Sequence, residues 1–209
     1  MSFIAPKEFK LPWFLRVIYS ILYFISRLCL RPKLLGAENI PQSGSFIVIA
    51  NHQSNFDPLL ISPYLPRMPR WLGKIELFRC KILASIFEAY KVIPIHRGGT
   101  NVASVKKIFR ELRSGAIIAM FPEGTRIRRD QIGEVMPSRE TLRLLAKSKV
   151  PILPVYLEMP YRYFRSNKVI VGKPFNWSDL QFEENAEGKA LLELIYNLSG
   201  KSMAELRNG

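Results

Sequence analysis

Three short runs of unbroken apolar residues limit the fold most strongly. Residues 45–50 (SFIVIA), 116–121 (AIIAMF) and 150–157 (VPILPVYL) show no apolar–polar alternation. A strand with one wet face alternates, whereas a strand covered on both faces reads as a continuous apolar stretch. Residues 91–96 and 168–171 read as further strands. Helical patterns lie between and after them. Asp57-Pro58 opens one, with Asp as N-cap and Pro at the first helical position. Residues 76–89 form a second. Thr100 caps a third, whose core face is Val102, Val105, Ile108, Phe109 and Leu112. Residues 138–147 and 189–198 complete the set. Strands alternating with helices predict the α/β class, a mostly parallel or mixed sheet covered by helices on both faces. The 209 residues suit one such domain, and 48% hydrophobic content excludes wholesale disorder.

Residues 11–30 (LPWFLRVIYSILYFISRLCL) stand ahead of this alternation as an appended helix. Arg16, Ser20, Tyr23 and Arg27 recur at helical spacing and share one face. Phe14, Val17, Ile18, Ile21, Leu22, Ile25 and Leu28 cover the rest. A broad apolar face with a narrow basic stripe describes an amphipathic helix lying in the headgroup boundary. The length also permits a single span, and a helix buried in a soluble core has the same composition. The division expected is residues 1–36 as a membrane-associated helical segment and 37–209 as the α/β domain.

Lys plus Arg number 31 against 17 Asp plus Glu, a net charge of +14. That excess calls for an anionic partner. A mean hydropathy of +0.03, high for so charged a chain, favours an anionic membrane surface over nucleic acid. No zinc-ligand spacing, RNA-binding aromatic motif or basic zipper appears, so no nucleic-acid partner is expected. Cys29 and Cys80 make no disulfide framework, and His52 and His96 are too few for a His-rich metal site.

Chemistry-bearing residues cluster after the apolar runs, where open α/β sheets place their sites. The first cluster is Asn51-His52-Gln53-Ser54-Asn55-Phe56-Asp57. Histidine can take a proton near neutral pH, and a carboxylate on its far ring nitrogen fixes the tautomer. A loop followed by a helix start can return Asp57 to the ring. The same spacing also fits a polar strand end and an ordinary helix start. The second cluster is Phe121-Pro122-Glu123-Gly124-Thr125-Arg126. Gly124 permits close backbone approach to a ligand, and Arg126 offers a planar fork for phosphate. Glu123 suits a substrate hydroxyl or an Arg partner; the stretch also fits a plain turn. Arg97, after His96, and Lys74, before Ile75-Glu76, are further phosphate-binding candidates.

These clusters, in this order, resemble the lysophosphatidic acid acyltransferase (1-acyl-glycerol-3-phosphate acyltransferase) family. The H-x-x-x-x-D block matches His52 to Asp57, and F-P-E-G-T-R stands unaltered at 121–126. A strand ending in Arg matches residues 93–97, and V-P-I-x-P-V matches residues 150–155. The chain departs from many members at residues 137–140 (PSRE), where they carry Phe-Lys-x-Gly. The resemblance implies a glycerolipid acyltransferase-like fold with His52 as general base and Asp57 orienting it. It further implies Arg97 and Arg126 on the acceptor phosphate, with Glu123, Gly124, Thr125 and Lys74 shaping the acceptor site. The implied donor is acyl-CoA or an acyl-acyl carrier protein thioester, with no cofactor and no metal. The implied acceptor is the sn-2 hydroxyl of lysophosphatidic acid, with another lysophospholipid or an aminolipid as the alternative. A non-catalytic lipid-binding module is the remaining reading. Attachment at the cytoplasmic face of a membrane follows from acceptor, charge and helix together.

Overall fold

The computed structural model describes residues 13–96, 102–180 and 186–208. The strands among them are β1 (Pro32–Leu35), β2 (Phe46–Ala50), β3 (Arg70–Lys74), β4 (Ile93–Ile95), β5 (Ile117–Met120), β6 (Ile152–Leu157) and β7 (Asn167–Val171). The helices are α1 (Trp13–Leu30), α2 (Asp57–Ile61), α3 (Lys81–Ala89), α4 (Val102–Arg113), α5 (Arg139–Ser148), α6 (Glu187–Tyr196) and α7 (Met203–Asn208). All seven strands join one sheet in the order β1-β7-β6-β2-β5-β3-β4. From β6 through β4 every pairing is parallel. β7 runs antiparallel to β6, and β1 parallel to β7. The sheet is therefore mixed, with five parallel strands whose carboxyl ends share one edge.

The apolar runs predicted as doubly covered strands are fully buried: Phe46, Ile47, Val48, Ile49 and Ala50 are each 0% exposed. Alternate residues point to opposite faces. Ile47, Ile49, Ile118 and Ile152 pack with Ile108 of α4, Leu145 of α5 and Leu191 and Ile195 of α6. Val48, Ala50, Ala119 and Leu153 pack with Leu60 and Ile61 of α2, Trp71 and Leu30.

Several elements differ from expectation. β1 and β3 carry no unbroken apolar run and escape a pattern reading. Because β1 pairs with β7 over Pro32↔Asn167 to Leu35↔Ile170, a boundary after residue 36 leaves an edge strand of the sheet on the wrong side. Gly36 then turns the chain at φ 76°, so close to β7 that a Cβ would sit 2.1 Å from the Val171 carbonyl oxygen. The helix expected over 76–89 is split: a 3₁₀ segment (Ile75–Arg79) precedes α3, and extended Cys80 separates them. Phe56 occupies the N-cap of α2, which makes Asp57 its first residue. Val102 is 67% exposed and leaves the core face of α4. The Thr100 cap lies outside the described residues. At α5, which covers most of the helix expected over 138–147, Ser138 is the N-cap, its Oγ accepting the Thr141 N–H at 3.2 Å.

α1 lies against α2 along its polar side. Ser26 is buried and donates to the Tyr23 carbonyl at 2.8 Å, and Tyr23 packs beside Met68. Arg27 lies within hydrogen-bonding reach of Tyr64. The apolar face points away from the protein, leaving Phe14, Val17, Ile18, Ile21, Ile25 and Leu28 exposed. Among the described residues no helix is long and apolar enough to cross a membrane.

Candidate active site

The parallel strands deliver the sequence candidates to one edge. His52 follows β2, residues 121–126 follow β5, Lys74 closes β3, and His96 follows β4. Strands are spaced about 4.8 Å apart, so Lys74 lies two spacings, roughly 10 Å, across the sheet from the β2 end. Lys74 is half-buried, Thr125 half-buried, and Gly124 and Arg126 exposed. Arg97 lies outside the described residues.

His52 Nδ1 lies 2.8 Å from Asp57 Oδ2. Asp57 is fully buried, and the His52 side chain is 17% exposed. The turn between them uses the same carboxylate: Oδ2 also accepts the main-chain N–H groups of Gln53 at 2.7 Å and Ser54 at 2.9 Å. Oδ1 accepts the Tyr161 hydroxyl at 2.7 Å. Four donors thus converge on Asp57. An acceptor so engaged takes the hydrogen from His52 Nδ1, which leaves the Nε2 lone pair for a substrate proton. The imidazole is also clamped by stacking. Its ring lies 3.9 Å from Phe121 at 8°, and Phe121 lies 4.9 Å from Trp71 at 23°. Trp71 is anchored by its Nε1, which donates to Ser62 Oγ at 3.0 Å.

Asn51 locks the preceding strand end. Its Oδ1 accepts the Leu157 N–H at 2.7 Å and its Nδ2 donates to the Leu157 carbonyl at 2.9 Å. The side chain thereby continues the β2–β6 pairing past Ala50. The His52 carbonyl accepts the Ile127 N–H at 2.8 Å, which binds the loop after β5 to the catalytic turn. Gly124 turns that loop at φ 65°, a left-handed conformation that glycine adopts without strain.

Glu123 departs from its expected role. It is 6% exposed, and both oxygens are occupied inside the protein. Oε2 accepts the His52 N–H at 3.2 Å, and Oε1 accepts the Tyr196 hydroxyl at 2.6 Å. Glu123 therefore joins α6 to the catalytic turn instead of facing a substrate hydroxyl. Burial pushes its carboxyl up to about 8. Burial likewise raises Tyr161 and Tyr196, each facing a carboxylate.

Tyr161, Tyr196 and the Trp71–Phe121 stack escape a motif reading because they approach His52 only in the folded chain. For Tyr161 a usable signal exists, since it follows an apolar strand at the same sheet edge as His52.

A family model described as Acyltransferase matches residues 31–158. The 1-acyl-sn-glycerol-3-phosphate acyltransferase of Bacillus subtilis is 25% identical over 182 residues, 84% of this chain and 88% of that protein. The probable 1-acyl-sn-glycerol-3-phosphate acyltransferase of Mycoplasma genitalium is 33% identical, over 58% of this chain and 47% of its own length. For the Pseudomonas aeruginosa 1-acyl-sn-glycerol-3-phosphate acyltransferase the identity is 29%, over 68% and 52%. The chain thus matches about half the length of the latter two. Among solved structures, the 1-acyl-sn-glycerophosphate (LPA) acyltransferase PlsC of Thermotoga maritima superposes with a TM-score of 0.63. That alignment covers 93% of this chain and 80% of the other at 24% identity, a likeness of fold. With the family match spanning most of the sheet and both the His52–Asp57 turn and the loop after β5, the chain is an enzyme that belongs to the Acyltransferase family.

Proposed function

We propose that this enzyme transfers a fatty acyl group from a CoA or acyl carrier protein thioester to the sn-2 hydroxyl of lysophosphatidic acid, forming phosphatidic acid for phospholipid biosynthesis. The observation that carries the reading is the 2.8 Å contact between His52 Nδ1 and a fully buried Asp57. It leaves Nε2 as the basic nitrogen at a sheet edge that also holds Arg126. The names of the relatives supply the acceptor class.

In the proposed reaction His52 Nε2 takes the proton of the acceptor hydroxyl as its oxygen attacks the thioester carbonyl. The C–O bond forms and the C–S bond breaks. The proton passes from His52 to the departing sulfur, giving an ester and a free thiol. Asp57 holds the ring and offsets the imidazolium charge between the two proton transfers. A thioester is already activated, so the balance draws on no metal, prosthetic group or protein nucleophile. Arg126, with Arg97 and Lys74, binds the acceptor phosphate by charge-assisted hydrogen bonds. Gly124 and Thr125 shape the loop beside it.

The exposed apolar face of α1 rests in the cytoplasmic surface of an anionic bilayer, where the acceptor resides. The net charge of +14 adds attraction to anionic lipid, about 1 kcal/mol for each cation near the surface.

The test is purified protein given labelled acyl-CoA or acyl-acyl carrier protein with a panel of lysophospholipids and aminolipids. Acylation of lysophosphatidic acid ahead of the other acceptors is the expected result. Preference for an acceptor without a phosphate monoester contradicts it.

A further inference from the structure

A second basic site lies at the β6–β7 side of the sheet, on the face covered by α6 and α7 and away from Lys74 on β3. Beyond the carboxyl end of β6 a cavity of about 280 Å³ is bordered by Arg129, Arg162, Lys168 and Lys201. Its floor includes Met159 and Leu206, and Glu158 is the acidic member of the lining. The Glu158 Oε2 accepts the Lys168 main-chain N–H at 2.7 Å, so part of its charge is already spent on the protein. Four cations against one carboxylate make the cavity a receptor for an anion. Its volume is near the lower end for ligand pockets, about 300 Å³, enough for a phosphate and an attached fragment.

Both walls are tied to the catalytic turn. Gln53 Nε2 donates to the Glu158 carbonyl at 2.8 Å. On the other side the Ile127 N–H bonds the His52 carbonyl at 2.8 Å, two residues before Arg129. Arg129 is itself held by donating its Nε to the Leu206 carbonyl. The acceptor's phosphate is only a glycerol carbon away from the reacting hydroxyl, and the cations after β5 and β3 serve it. The donor thioester, in contrast, carries its phosphate at the far end of a long pantetheine arm. That arm must leave the reacting carbon in a direction the acceptor does not fill.

We infer that the Arg129–Arg162–Lys168–Lys201 cavity binds the phosphate of the thioester donor. The inference rests on the acyltransferase reading proposed above. The shared chemistry is a phosphate on the pantetheine arm, supplied by either coenzyme A or an acyl carrier protein.

The test uses the Lys168→Glu/Lys201→Glu double variant of the full chain. Both side chains are exposed and make no hydrogen bond among the described residues, and an unchanged melting temperature verifies the fold. Steady-state kinetics are measured with acyl-CoA, acyl-acyl carrier protein and acyl-pantetheine, which lacks the phosphate. The expected result is a donor KM raised at least about tenfold for phosphate-bearing thioesters, with acyl-pantetheine and the acceptor KM unchanged. A rise for both donors supports the arm's own phosphate as the ligand, whereas a rise for acyl-CoA alone assigns the effect to the nucleotide phosphates and overturns the inference. Unchanged donor KM, a raised acceptor KM, an equal effect on acyl-pantetheine, or an effect on the carrier protein alone overturns the inference. Calorimetric titration with coenzyme A separates this inference from the functional reading. Wild type that binds coenzyme A while the double variant does not supports the site, even if no lysolipid is acylated and the functional reading fails. Equal binding by both proteins removes the site, whatever the activity.

Discussion

The Tyr161 hydroxyl donates to Asp57 Oδ1 at 2.7 Å from a position 104 residues further along the chain. The turn from His52 to Asp57 closes on one carboxylate oxygen, and Tyr161 seizes the other from the loop after β6. The angle of the dyad thereby depends on the packing of two neighbouring parallel strands. Tyr161→Phe keeps the ring and removes one donor, worth about 1 kcal/mol. Turnover is expected to fall roughly fivefold with acceptor and donor KM little changed. A KM effect without a kcat effect contradicts a positioning role.

Glu123 predicts a pH-dependent stability of definite sign. Burial raises its carboxyl from an ordinary 4.5 to about 8. Between those values the folded chain holds a proton that the unfolded chain has released. Stability from this group therefore falls as pH rises through the window and levels off above it. Glu123→Gln has no such titration. Its unfolding free energy should gain on that of wild type from pH 5 to pH 8, by a difference on the order of a few kcal/mol. Parallel profiles for the two proteins contradict the burial argument.

Arg126 is exposed at the sheet edge, so its removal leaves no buried partner behind. Arg126→Ala should raise the acceptor KM about tenfold or more, the scale of a lost charge-assisted hydrogen bond. The donor KM should stay constant. Kinetics with lysophosphatidic acid as the varied substrate measure this, and an unchanged acceptor KM removes Arg126 from phosphate binding.

On α1, Ile21 and Leu28 are 53% and 58% exposed and contribute little to the folded core. An Ile21→Ser/Leu28→Ser variant should keep its melting temperature. Burying each side chain in lipid is worth about 1.5–3 kcal/mol, so co-sedimentation with anionic vesicles should weaken by about 100-fold. Retained vesicle binding contradicts attachment through this face.

Legibility of the fold followed burial. β2, β5 and β6 stand in the centre of the sheet, covered on both faces, and so announce themselves as apolar runs. β1 and β3, no shorter than β5 and β2, carry Pro32, Lys33, Arg70, Gly73 and Lys74, which pattern reading assigns to loops. The polar stripe of α1 was legible but its direction was not. A helical wheel shows that Tyr23 and Arg27 share a side, whereas only the packing against α2 and Tyr64 shows that this side faces the protein. At the site, the His52–Asp57 pair was readable because a local turn joins its members. The role of Glu123 is not legible locally, because its partners, the His52 N–H and Tyr196, lie 71 and 73 residues away. A substrate-facing carboxylate and one buried beneath the catalytic turn look the same in a linear motif.

The central claim is that His52 takes the acceptor's proton. Its most direct test is the turnover number of His52→Ala with labelled acyl thioester and lysophosphatidic acid in mixed micelles. Loss of a general base predicts a fall of about 10²-fold or more with the fold intact by circular dichroism. Turnover within a few-fold of wild type would contradict the account.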